Sequence, residues 1–208
     1  SKLTLQYHGI NEFRRGGNRL DLPPHEANIA EQLEHNINGG GVSYDYFSPD
    51  EKNRASAYFS FQNTDRKSYY GGTGDGSDES REEALLAYGT THDLTLVSGA
   101  QYVRRFERLL FLPSDLTFGA EYSYDGLNDD SAARDWHFDQ TVHIISAYVQ
   151  NEWKNEQWSI LAGVRMDKHN LVDHAIFSPR VNVRFNPRPG IGLRVTYGRG
   201  FRAPQTFD

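Results

Sequence analysis

The feature that most constrains this chain lies between Val142 and Asp208, where four segments joined by turns alternate apolar and polar residues. In its last segment Ile191, Leu193, Val195 and Tyr197 share one parity, and Gly192, Arg194, Thr196 and Gly198 the other. A period of two over eight residues is the mark of a strand with two unlike faces. Phe201-Arg202-Ala203-Pro204 follows, and Pro204 lacks the N–H that a ladder needs, so the strand should stop there. What lies against each face then decides what the chain does.

The same alternation recurs upstream. Leu3, Leu5 and Tyr7 open the chain, with a break at Arg15-Gly16-Gly17. Val42, Tyr44 and Tyr46 follow Gly39-Gly40-Gly41, and Ala55, Ala57, Phe59 and Phe61 follow Ser48-Pro49-Asp50. A fourth strand is expected over about Thr90–Arg105, and a fifth from Leu116 to Asp125. The sixth carries Ile145, Ala147, Val149 and Trp153, the seventh Trp158 to Asp167, and the eighth Val181, Val183 and Phe185. Pro23-Pro24 predicts a short helix running to Leu33, because proline suits a first helical turn. Residues 71–83, rich in Gly, Asp, Ser and Glu, read as a mobile loop.

Connections alternate in length. Residues 14–35, 71–88 and 126–138 are long, and 168–177 is intermediate. Residues 48–52, 106–114, 154–156 and 186–190 are shorter. In an antiparallel meander this places all long connections at one end and all short ones at the other. The fold expected is all-β, an up-and-down antiparallel meander of about nine strands. Short turns at one end, long loops at the other and one apolar face describe a transmembrane barrel wall, whose strands need about 9–11 residues to cross. A soluble two-sheet sandwich has the same pattern.

Composition narrows the classes. No run of eighteen apolar residues exists, so no helix can span a bilayer. Mean hydropathy is -0.71, but barrel strands are apolar on one face only. The formal charge of -6 gives no nucleic-acid footprint. The absence of cysteine removes disulfides, thiolate metal sites and a cysteine nucleophile.

Motifs with catalytic or metal-binding appearance lack the spacing their chemistry needs. His25-Glu26 would need a second histidine at position 29, where Ile29 stands. Gly71 to Gly76 lacks the Lys-Ser/Thr of a phosphate loop, and the acids from Asp75 to Glu83 do not follow an EF-hand. Glu121, Asp125, Glu152 and Asp167 on the polar face would suit either a glycosidase cleft or the lining of an aqueous lumen. No catalytic residue, metal site or cofactor is assigned. Tyr69, Tyr70, Trp136 and His137 are the candidate ligand contacts, as aromatic or imidazole groups at the long-loop end.

Four stretches, in this order and at hairpin spacing, resemble the β-barrel of TonB-dependent outer-membrane receptors. They are Tyr148-Val149-Gln150-Asn151-Glu152-Trp153, Gly163-Val164-Arg165-Met166-Asp167, Ser178-Pro179-Arg180 and Tyr197-Gly198-Arg199-Gly200-Phe201-Arg202-Ala203-Pro204. Arg14-Arg15-Gly16-Gly17 and the run Leu116 to Tyr124 are similar in style to receptors of Bacteroidetes. The resemblance implies a plugged barrel of 22 strands in the bacterial outer membrane that binds an extracellular ferric siderophore, haem, cobalamin or glycan. It also implies the TonB complex as partner, reached through a plug, and the lipid bilayer as surroundings. Phe201 to Pro204 would then mark a strand leaving the membrane. With about nine strands and no plug, residues 1–208 are expected to be part of such a barrel. The alternatives are a passive porin or a soluble all-β carbohydrate-binding or glycosidase module.

Overall fold

A computed structural model describes residues 1–131 and 136–201. Nine strands form one sheet, every neighbouring pair antiparallel and consecutive in sequence. They are β1 (Lys2–Gly17), β2 (Ala30–Phe47), β3 (Asn53–Gly71), β4 (Tyr88–Leu109), β5 (Leu112–Ser131), β6 (Trp136–Lys154), β7 (Trp158–His169), β8 (Ile176–Arg188) and β9 (Ile191–Gly198). The described residues hold no second sheet, and β1 does not meet β9. The expected meander is therefore present as an open wall, and the sandwich reading lacks its second layer.

Register joins the apolar parities of all nine strands into one surface. Leu3, Tyr44, Ala57, Ala100, Ala120, Ala147, Met166 and Phe177 form one continuous row across the sheet. Among the described residues nothing covers that surface: Leu5 is 72%, Val195 70% and Ile145 59% exposed. The accessible area is 13872 Å², against about 9,800 Å² for a compact soluble chain of this mass. Water would penalise so wide an apolar face, whereas a bilayer's hydrocarbon accepts it.

The width of the apolar band fits that environment. On β5 it runs from Leu116 through Phe118, Ala120 and Tyr122 to Tyr124, and then gives way to Gly126, Asn128 and Asp130. Nine residues span about 27 Å along a strand, or about 20 Å at the usual barrel tilt, close to the ~25 Å apolar band of such walls. Aromatic rings mark both borders. Phe111 stacks on Trp153 and Trp158 on Phe185 at the short-turn end, while the Tyr7 hydroxyl donates to Asn38 at the other. Beyond the upper border β2 to β6 keep pairing for several residues. That row of the outer face reads Asn36, Asp65, His92, Asn128 and Asp139, polar throughout.

Three local expectations are corrected at the long-loop end. The helix expected to reach Leu33 is one 3-10 turn, Pro24–Glu26, and Ala30 already pairs with Gly17 and Gly71 as part of β2. The stretch read as a mobile loop contains helix α1 (Asp78–Leu86), capped by the Ser77 hydroxyl, which accepts from Ser80 N at 3.2 Å. Asp78 and Glu79 in its first turn complement the helix dipole. The supposed long loop 126–138 is largely strand: β5 runs to Ser131 and β6 starts at Trp136. The short turns fall where expected, with Glu51, Leu110 and Gly190 supplying the positive φ of 54°, 65° and 84° that tight reversals require.

The small buried core sits at this end as well. Ala27, Ala30 and Tyr69 pack together, closed by Ala87. Thr73 N and Gly74 N donate to the carbonyls of Ala27 and Asn28 at 2.8 and 3.0 Å, which ties the two longest connections to each other.

Candidate ligand-binding vestibule

The polar parity of the strands forms the opposite face. Its middle is crosslinked by side chains that skip a strand. Tyr58 on β3 faces Gly99 on β4, and its hydroxyl passes over that glycine to donate to Glu121 on β5 at 2.5 Å. Tyr148 on β6 faces Gly119 on β5 and reaches Gln101 on β4 at 3.0 Å. Arg165 on β7 donates to Glu121 at 3.0 Å, to Asp167 at 2.7 Å and to Ser146 at 2.7 Å. These crosslinks run over the polar parity, opposite the apolar face that suits hydrocarbon, so the polar face is the inside of the wall. The arrangement also accounts for two of the candidate carboxylates. Glu121 and Asp167 share one guanidinium and serve as structural crosslinks, unlike the split pair that glycoside cleavage uses.

Above this ladder the inner face opens into the long-loop rim. Pairing places Tyr70, Arg66, Thr91, Asp129, Phe138 and Trp136 on the inner parity. The Trp136 and Phe138 rings stack at 6.0 Å with 14° between their planes. Arg66 Nε donates to Thr91 Oγ1 at 3.0 Å and its Nη2 to Asp129 Oδ1 at 3.4 Å. The Thr91 hydroxyl in turn donates to the same Asp129 oxygen at 2.5 Å. An aromatic platform beside an oriented guanidinium can stack a planar ligand group and hold an acceptor on it.

The four candidate contacts separate by position. Tyr70 and Trp136 are half-exposed on the inner face. Tyr69, one residue away, has the opposite parity and is 1% exposed, edge-on to Tyr88 at 4.8 Å. Burial pushes its phenol upward in pKa, and its ring is part of the rim's packing. His137 stands on the outer face, where it contacts Asp130. Phe201 is exposed beyond β9, while Arg202, Ala203 and Pro204 lie outside the described residues. Sequence reasoning missed Phe138, Arg66 and Asp129. The usable signal for Phe138 was its spacing of two from Trp136, which matters only once β6 is known to reach the rim.

The Asp130 hydrogen bond raises the pKa of the fully exposed His137. The raised value means that the pair's stabilisation is present while His137 is protonated and Asp130 ionised, and is lost as pH rises through the histidine's folded-state pKa. Asp130→Asn should bring the His137 midpoint down, measured from its ring resonances by NMR. An unchanged midpoint would show that the contact does not form in solution.

Comparison with known proteins bears on the wall as a whole. The sequence matches the family described as TonB dependent receptor-like, beta-barrel over residues 4–208. The outer membrane transporter YddB from Escherichia coli superposes with a TM-score of 0.60 at 12% identity, covering 88% of this chain and 27% of its own. The siderophore receptor PirA from Pseudomonas aeruginosa gives 0.46 at 15% identity, covering 86% and 38%. The chain thus spans well under half the length of either. No curated protein matches the sequence. Fold, register and family agree on a wall in the bacterial outer membrane: the chain belongs to the TonB-dependent receptor β-barrel family.

Proposed function

We propose that this chain is part of the barrel of an outer-membrane receptor for TonB-driven uptake of a scarce nutrient, of the ferric siderophore, haem or cobalamin class. In this reading residues 1–208 supply wall and rim, and a plug elsewhere in the receptor contacts the TonB complex. The observation that carries it is the inner rim, where the Trp136–Phe138 stack, Tyr70 and the Arg66–Asp129 pair share the inner parity above the crosslinked polar wall. Haem, cobalamin and siderophores with aromatic chelating groups present conjugated or aromatic surface with peripheral acceptors, which such a rim can stack and hydrogen-bond. The passive porin shares the wall but needs neither rim aromatics nor energy.

The test is uptake of labelled ferric siderophore, haemin and cobalamin by cells carrying the full receptor, with and without a functional TonB system. Uptake of one class that stops when TonB is removed is the expected result. Uptake indifferent to TonB would establish the porin instead. In the competent case, Trp136→Ala with Phe138→Ala should weaken ligand binding by about tenfold or more, given roughly 1–3 kcal/mol for a stacked aromatic contact. Binding unchanged by the pair of substitutions would remove the rim from the ligand path.

A further inference from the structure

We propose that the rim carries a second binding site, separate from the lumen, for a phosphate- or carboxylate-bearing saccharide. The site is a cavity of about 440 Å³ between the β1–β2 connection and α1, lined by Arg19, Leu22, His25, Asn28, Arg81 and Leu85 among others. That volume is in the range of small-ligand clefts and exceeds what a lone inorganic anion fills. It rests on the outer-membrane placement of the wall and not on which nutrient passes through it.

Position separates the cavity from the vestibule. Tyr69, Tyr88 and Ala30 share the parity of the lipid-facing residues Phe61 and Leu96. Ala27 packs on Tyr69, and His25 Nδ1 lies 2.8 Å from the Tyr88 hydroxyl. The β1–β2 connection therefore lies over the outer flank of the rim, eight residues along β3 and β4 beyond the Phe61–Leu96 row that borders the apolar band, roughly 20 Å above it at the usual barrel tilt. A ligand held there approaches from outside the barrel and not through the lumen.

Chemistry sets the class. Neither the Arg19 nor the Arg81 guanidinium has an ion pair among the described residues, although both border the same cavity. Glu26 is the one carboxylate in its lining; Asp78, Glu79, Glu82 and Glu83 of α1 do not border it. His25 and Asn28 add polar hydrogen-bonding groups, and Leu22 and Leu85 supply short apolar walls of the kind that a sugar ring's C–H face packs on. Two open guanidinium forks favour carboxylate or phosphate oxygens.

The cavity is also held in shape before any ligand arrives. Arg19 adopts φ 46°, a conformation that side-chain-bearing residues avoid, and its carbonyl accepts from Leu22 N at 3.0 Å. Asn18 Oδ1 accepts from Asn28 N and Ile29 N at 3.1 and 3.3 Å, closing the base of the connection. At Gly72, φ 150°, a Cβ would lie 2.3 Å from the Asn28 carbonyl, so the two connections meet backbone to backbone. Preorganisation of this kind lowers the ordering cost of binding.

The experiment uses the full receptor in lipid nanodiscs, with two probes of the shared chemistry. Digalacturonate tests a soluble source and monophosphoryl lipid A in the disc a membrane-anchored one, with cellobiose as neutral control. Binding of either anionic probe is expected, cellobiose giving none. Arg19→Ala with Arg81→Ala should weaken it by about a hundredfold, roughly tenfold for each charge-assisted contact. The double lysine variant, which keeps charge but not the planar fork, should fall between. Both arginines are exposed, so the variants should fold, which thermal unfolding of the same samples checks. Equal binding by wild type and double alanine variant, equal binding of cellobiose, or no binding of either anionic probe would overturn the site. Nutrient uptake should be unchanged in the double alanine variant; its loss would place the cavity on the cargo route and overturn the separation. Absence of uptake in the wild type sinks the transport reading alone.

Discussion

Ala120→Arg should destabilise the barrel by about 2–4 kcal/mol, the range for a cation at the middle of a lipid-facing strand. Ala120 lies halfway along the apolar stretch of β5, in a row with Ala57, Ala100 and Ala147. An arginine there has no carboxylate within its row and no water to solvate it, and either border of the band is four residues away. Ser123→Arg, three positions on, should cost less than about 1 kcal/mol, because Ser123 belongs to the inner parity and its side chain meets an aqueous lumen. Urea unfolding of the full receptor from phospholipid vesicles gives both values. The contrast between the two sites is what matters. A one-residue error in register exchanges every inner and outer residue, so equal costs, or a larger cost at Ser123, would overturn the assignment of faces. A soluble sandwich would make Ala120→Arg costly too, but only by burying Ala120 under a second layer that the described residues do not contain.

Which parts of this wall could be read from sequence follows from where hydrocarbon begins. Between Leu116 and Tyr124 one face meets lipid and the other water, so selection imprints a period of two and the strand is unmistakable. The same physics fixed the cores of β6, β7 and β9. Above the band both faces meet water. Asn128, Asp129 and Asp130 carry no alternation, yet their backbones continue the ladder with β4 and β6. Polar residues with turn propensity then imitate a loop, and Trp136 and Phe138 could not be placed on a common face. The β1–β2 connection failed for a different reason. The helical propensity of residues 25–33 is overridden once Ala30 can pair on both sides, with Gly17 and Gly71. Tyr69 and Tyr70 show how much turns on one step of parity: adjacent aromatics, one inside the rim's packing and one on the lumen.

The interlocking tyrosines allow a sharper test than stability alone. At Gly99 the three atoms nearest a Cβ would all belong to the Tyr58 side chain, at 2.6, 2.7 and 2.9 Å. At Gly119 it would meet the Tyr148 side chain at 2.6 and 2.7 Å and also the Ala100 carbonyl oxygen at 2.8 Å. Both alanine variants must displace a ring that bridges two strands, and overpacking of this sort costs about 1–3 kcal/mol. The second substitutions should part them. Tyr58→Ala removes the three atoms nearest that Cβ, so the double variant should behave much as Tyr58→Ala alone, with coupling equal to most of the cost of the glycine change. Tyr148→Ala leaves the Ala100 carbonyl in place, so Gly119→Ala should remain destabilising in the double variant. Double-mutant cycles on the full receptor in vesicles measure both couplings. Rescue at neither position would mean that the rings do not lie over the glycines, and full rescue at both that the Ala100 carbonyl does not obstruct Gly119→Ala. The consequence reaches the rim, because Tyr58 hands Glu121 to Arg165 and so joins β3 to β7 beneath the vestibule. Loss of that span should loosen the strands that hold Arg66 and Trp136 in register, and ligand affinity should fall in Gly99→Ala and return in the Gly99→Ala, Tyr58→Ala pair only as far as Tyr58→Ala itself allows.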